Sequence, residues 1–187
     1  MRVLGISGSL RRGSTNGALL RAAAERLPGG AELVEYERLA EIPPYDEDVE
    51  AQGVPAAVEE LRAAIHDADA VLIATPEYNS SIPGQLKNAL DWASRPAGKS
   101  ALNGKPAAVV GASAGMFGAV WAQAELRKVL AAMGGRVVDA ELPVGHARDQ
   151  MAGGRLELSP EQAAQLEEIL AELVAAAERE SELAVAG

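Results

Sequence analysis

Five short aliphatic runs, residues 3–6, 31–35, 70–74, 107–112 and 136–138, alternate along the chain with longer segments of helical spacing. The runs are mostly unbroken, not alternating, which marks strands covered on both faces and hence parallel ones. The segments at 16–27, 55–67, 84–94 and 117–133, and a fifth from Ser159, set apolar residues three and four apart. In the third, Leu86, Ala89, Leu90 and Ala93 make one stripe; in the fifth, Leu166, Ile169, Leu170 and Leu173 do the same. Ser159, Pro160 and Gln162 predict a capping box with proline at the first helical position. Strand then helix, repeated five times, specifies a doubly wound α/β fold with right-handed crossovers, and five strands favour the order 2-1-3-4-5.

A chain of 187 residues fits one domain, 1–187, with the segments EIPPYDEDVEAQGVP and GHARDQMAGG as connections inside it. The acidic run from Asp46 to Glu50 reads as a solvated loop, His66 as solvent-facing, and His146 as a loop residue that packs or caps. Trp92 and Trp121 fall at helical spacing beside Ala and Leu, as core or subunit contacts.

With no cysteine and two histidines, disulfides and thiolate sites are excluded and little is left for a transition metal, so no metal is expected. The apolar start MRVLGISGS is too short for a signal peptide, and no run approaches the ~18 apolar residues of a membrane span. A soluble cytoplasmic protein is expected. A net charge of -10 repels nucleic acid and anionic lipid at long range, so neither is expected as a partner. Screening beyond about 8 Å still lets a local basic loop attract an anion.

In a sheet of this order, ligands bind beyond the carboxyl ends of the strands where the winding reverses. The loops there are residues 7–15, 75–83 and 113–118. The first contains SGSLRRGSTN. Ser7, Ser9, Ser14 and Thr15 offer hydroxyls, Gly8 and Gly13 admit close approach, and Arg11 adds charge-assisted hydrogen bonds. Behind them a helix N-terminus points free N–H groups into the loop. That is a phosphate cradle; the plain alternative is a serine-rich turn that caps a helix. GISGSL lacks the G-x-G-x-x-G spacing, and the GKS at 98–100 has Ala93 where a P-loop needs glycine. The second loop, TPEYNSSIPG, is stiffened by two prolines and presents Tyr78 and backbone N–H groups to a flat heterocycle, or is simply a rigid turn. A cradle and a ring-binding loop on neighbouring strands suit a mononucleotide carrying a broad ring.

SGSLRRGSTN, PEYNSSIPGQLKNALDW and GASAGMFGAVWAQAELR together resemble the signature segments of the NADPH-dependent FMN reductase family, over nearly the whole chain. Members are flavodoxin-like, three-layer α/β/α enzymes of the bacterial quinone, chromate and azo reductase type. The resemblance implies that Ser9, Arg11, Ser14, Thr15 and Asn16 hold the FMN phosphate. By the same likeness Pro76, Glu77, Tyr78 and Asn79 grip the isoalloxazine, and Ser113 and Gly115 close its far side. It also implies a homodimer or homotetramer built through the helices after strands three and four. SAGMFGA departs from the more glycine-rich stretch of many relatives, and Met116 with Phe117 narrows the mouth of the site.

On this likeness, hydride passes from NADPH or NADH to FMN and on to a small acceptor: a quinone, an azo or nitro compound, chromate or free flavin. No side-chain acid or base is obligatory and no catalytic residue is assigned; the protein contributes orientation and electrostatics. Arg11 or Arg12 draws in the NADPH phosphate. Two rival readings stand beside this one. Gly111 to Gly115 fits G-x-S-x-G, with Asp139 and His146 following in triad order, which is the pattern of a serine hydrolase. Against that, the oxyanion segment is missing and only three strands precede the one that leads into Ser113. A flavodoxin-like electron carrier without enzyme activity is the other; such carriers generally lack the PEYN segment.

Overall fold

The structure, a computed structural model, describes residues 1–186, with side chains as far as Glu182. Strands β1 (Arg2–Ser7), β2 (Glu32–Tyr36), β3 (Ala70–Thr75), β4 (Pro106–Ala112) and β5 (Arg136–Val137) form a parallel sheet in the order β2-β1-β3-β4-β5, as expected. Every residue of β3 and β4 is buried, which is why their sequences run apolar without alternation. Successive residues still serve opposite faces. Ala70, Leu72 and Ala74 pack with α1 (Thr15–Ala24) and α6 (Pro160–Ala186), whereas Val71 and Ile73 pack with α3 (Ala56–Asp67), α4 (Gly84–Ala93) and α5 (Val120–Ala132). The sheet is thus the middle of three layers. The start of α6 carries the expected box: Gln162 N–H donates to Ser159 Oγ at 3.2 Å and Ser159 N–H to Gln162 Oε1 at 3.0 Å.

Two stretches differ from the sequence reading. Residues Glu47–Gln52 form a short helix, α2, not a loop: Asp46 caps it by accepting from Asp48 N–H at 2.8 Å, while its side chains stay mostly in solvent. The fifth strand is split. β5 pairs with Pro106 and Ala107, the chain leaves the sheet, and β6 (Pro143–Val144) returns to pair with Gly111 and Ala112. Fully buried Gln123 spans the break, donating to Leu142 O at 3.2 Å and accepting from Leu142 N–H at 3.0 Å. A Cβ on Gly111 would lie 2.7 Å from that amide, so this position must stay bare. After β6 the chain forms a small hairpin, β7 (Met151–Ala152) with β8 (Arg155–Leu156).

Helix α4 also fastens the segment before it. Gln85 Nε2 donates to Leu39 O and Ile42 O, both at 2.8 Å, and Trp92 Nε1 donates to Pro43 O at 2.9 Å. Trp92 is fully buried, as a core residue should be; Trp121 is 48% exposed and is not core. No helix among the described residues is long and apolar enough to cross a membrane.

Candidate functional site

The site forms where β1, β3 and β4 end. From Ser7 the chain bends back into α1, whose cap is Ser14: its Oγ accepts from Asn16 N–H at 3.1 Å and Gly17 N–H at 3.4 Å. Two of the free donors of the helix start are satisfied in this way. Thr15 is not satisfied. It is 9% exposed, yet among the described residues neither its hydroxyl nor its backbone N–H has a protein partner, and the residue belongs to the wall of the cavity described below. A nearly buried hydroxyl and amide without an acceptor call for a ligand that brings one.

The loop after β3 is a tight hairpin. Tyr78 and Ser81 exchange backbone hydrogen bonds at 2.9 and 3.1 Å, and between them Asn79 and Ser80 have φ of 52° and 59°. Two consecutive left-handed residues make this a type I′ turn, a conformation asparagine tolerates better than most residues. The turn leaves Tyr78 more than half exposed. Glu77 faces α5, where its Oε2 accepts from Trp121 N–H at 3.0 Å and Ala122 N–H at 3.1 Å. The residue in the capping position of α5, Ala119, has φ of 62° and no capping side chain, so this carboxylate does that work from another loop.

The loop after β4 is held from two sides. Asn16 Nδ2 donates to Ala112 O at 2.8 Å and Asn16 Oδ1 accepts from Ala112 N–H at 3.0 Å. On the other side Ser113 N–H donates to Val144 O, Ala147 N–H to Ser113 O and His146 N–H to Gly115 O, at 3.0, 2.9 and 3.0 Å.

Ten of the eleven residues singled out in the sequence line one cavity of about 360 Å³: Ser9, Arg11, Ser14, Thr15, Asn16, Pro76, Glu77, Tyr78, Ser113 and Gly115. Its size falls within the roughly 300–1,000 Å³ of small-molecule sites. Asn79 stays outside, at the turn tip. Ala112, Ala114 and Arg148 also line the cavity, and sequence reasoning missed all three. The strand-end rule points to Arg148 once β6 is recognised as the continuation of the fifth strand; two residues behind a proline carry too little pattern for that.

An adjoining cavity of about 340 Å³ lies on the β2 side of the first loop and contains Arg12, Arg21, Glu35 and Glu37. Burial raises the Glu35 carboxyl above its ordinary range; Arg21 opposes the shift and Glu37 adds to it. A larger hollow of about 510 Å³, between α4 and the end of α5, is away from the strand ends, and its lysine, Lys87, is already paired with Asp91 at 2.6 Å. We therefore place the chemistry in the smaller cavity. No serine triad forms there: Ser113 Oγ donates to Gly115 O at 3.3 Å, and no hydrogen bond joins the exposed His146 to Asp139 or Ser113 among the described residues.

The family described as NADPH-dependent FMN reductase matches residues 1–149. The chain belongs to that family. Within the FMN reductase relatives, an NAD(P)H-dependent FMN reductase from Pseudomonas aeruginosa is 55% identical over 130 residues, 70% of this chain and 69% of that one. A quinone reductase from Escherichia coli K12 is 44% identical over 131 residues, again 70% and 69% of the two chains. Among solved structures, a flavoenzyme NAD(P)H:(acceptor) oxidoreductase from Paracoccus denitrificans superposes with a TM-score of 0.82 at 35% identity, covering 95% of this chain and 97% of the other. Membership of a reductase family bears out the oxidoreductase reading, and gives neither the hydrolase nor the carrier any support.

Proposed function

We propose that this protein is an FMN-dependent NAD(P)H oxidoreductase that passes reducing equivalents to a small acceptor, with quinones first among the candidates. One observation carries the reading: hydroxyls, unpaired N–H and arginine at one part of the cavity, and the rigid Pro76–Tyr78 turn at another, share a single strand-end crevice. Several relatives are quinone reductases, which supports this choice of acceptor.

The residues present fit FMN. Ser9, Arg11, Thr15 and the start of α1 form the cradle for its phosphate, and Pro76, Glu77 and Tyr78 the support for its ring. FMN, when bound, supplies the hydride-accepting and electron-donating chemistry. The protein's part is positional. Asn16 locks the cradle to the loop after β4, Glu77 locks the ring-side turn to α5, and backbone N–H groups of those loops favour negative charge developing nearby. Tyr78, more than half exposed in the cavity wall, leaves that side open to donor and acceptor in turn, while Met116 and Phe117 lie outside the lining.

One domain, residues 1–187, carries the activity in the cytoplasm, where NAD(P)H is supplied. The active form is a homodimer or homotetramer. Phe117 and Trp121 support this: they stack edge to face at 5.0 Å between centroids while about half exposed, Phe117 in the turn before α5 and Trp121 in its first turn.

Purified protein should be yellow, bleach on anaerobic addition of NADPH and regain its colour with benzoquinone. Protein that neither carries flavin nor takes up added FMN sinks the proposal.

A further inference from the structure

We infer that Arg148 is a second guanidinium for the phosphoryl group of the bound flavin nucleotide, acting with Arg11. The inference rests on the FMN reading above and goes beyond it, because the sequence likeness pointed to Arg11 alone.

Arg148 lines the same cavity as Ser9, Arg11, Ser14 and Thr15. Its side chain makes no hydrogen bond or ion pair among the described residues, whereas Arg38, Arg127 and Arg155 each hold a carboxylate. In a chain with 27 acidic and 17 basic residues, an exposed arginine left without an acid at the rim of a polar cavity points to an external anion.

The backbone beneath it is not a loose loop. His146 N–H and Ala147 N–H are bonded to Gly115 O and Ser113 O, Asp149 N–H donates to His146 O at 2.9 Å, and Gln150 Nε2 donates to Gly145 O at 2.8 Å. A Cβ on Gly145 would sit 2.1 Å from Met116 O, so the turn is pressed against the loop after β4. His146 adopts φ of 48°, a left-handed conformation that is strained for a residue other than glycine, and the surrounding bonds hold it there. This over-determined turn presents Arg148 next to the wall that the Asn16–Ala112 pair ties to the N-terminus of α1. The wall that carries Arg148 is therefore joined to the phosphate cradle.

Charge decides the rest. A phosphate monoester carries about -1.5 to -2 near neutral pH, and a helix N-terminus offers roughly +0.5. Arg11 and the helix end together supply about +1.5, which leaves up to about half a charge uncompensated within a protein of net charge -10. Arg148 completes the neutralisation and can bind two phosphate oxygens at once.

The test is a fluorescence titration of the full chain, freed of flavin, with FMN and with riboflavin, for wild type, Arg148→Ala and Arg148→Lys. Loss of a charge-assisted contact should weaken FMN by about 10- to 100-fold in Arg148→Ala. Riboflavin affinity should stay within about twofold, the lysine variant should recover part of the loss, and the salt dependence of FMN binding should flatten. Unchanged FMN affinity overturns the inference, as does an equal loss for FMN and riboflavin. A rise confined to the KM for NADPH also overturns it, since the arginine would then serve the dinucleotide. Wild-type protein that binds neither flavin overturns the FMN reading itself, and this inference falls with it.

Discussion

Asn16 and Ala112, 96 residues apart, exchange two hydrogen bonds through which a side-chain amide at the start of α1 closes the free N–H and C=O of the last residue of β4. The likeness to relatives implied that Asn16 holds the phosphate. In the structure its carboxamide oxygen and one amide hydrogen are spent on Ala112, and the residue is 1% exposed. Its contribution to a ligand runs through the placement of two loops: the amide brings the cradle and the far wall of the cavity into one rigid piece.

Replacing Asn16 with Ala should therefore cost stability as well as affinity. Two buried backbone groups lose their partners, at roughly 1–3 kcal/mol each, so we expect a loss of about 2–6 kcal/mol in urea unfolding. FMN uptake should weaken in parallel. A variant as stable as wild type would show that water takes over the pairing.

Glu77→Ala removes the only side chain that caps α5 in the described residues. Capping and helix-dipole effects of this kind are worth about 1–2 kcal/mol together. Glu77→Gln keeps the acceptor oxygen without the charge and should recover roughly half of the loss, read from urea midpoints at low salt.

A pH effect is expected at Glu35. Its carboxyl titrates above the ordinary range because burial penalises the charged form, so the stability it allows is present below its unfolded-chain pKa and is lost as pH rises through the folded one. Glu35→Gln removes that cost. The melting temperature of the variant relative to wild type should rise between pH 4 and pH 7; a difference that stays flat or falls would show that Arg21 already neutralises the carboxylate.

Arg12 lines the adjoining cavity and not the flavin cavity, which leaves it free for the phosphates of the electron donor. Arg12→Ala should raise the KM for NADPH by about fivefold, the scale of one exposed charge contact of roughly 1 kcal/mol. FMN affinity should not move. An unchanged KM counts against the role.

Trp121→Glu puts a charge on the exposed aromatic pair. If that face joins subunits, sedimentation should show wild-type protein as a dimer or larger and the variant shifted towards monomer. Identical sedimentation at the same concentration would remove Phe117 and Trp121 from the interface.

Much of this was legible beforehand. Unbroken aliphatic runs and stripes at helical spacing lead to the strand order because burial on both faces leaves parallel strands few other arrangements, and the strand-end rule then names the loops that meet. The capping box at Ser159 is equally local: donor and acceptor are three residues apart, and short range makes it readable. The split fifth strand was not, because Pro143 and Val144 are too few to show a period and the residue before them, Leu142, is held by Gln123 from another element.

The sequence by itself determined the three-layer fold and the crevice, as consequences of hydrophobic periodicity and of the topology it imposes, while its likeness to a family pointed to ten residues of the cavity wall. Only the tertiary structure decided how three of the polar groups in that wall are used: Asn16 bonded to Ala112, Glu77 turned to α5, Arg148 left without a partner among the described residues. A side chain's hydrogen-bond partner is chosen by competition among groups from elements 44 to 96 residues away, brought within 3 Å of it only when the sheet and helices have packed.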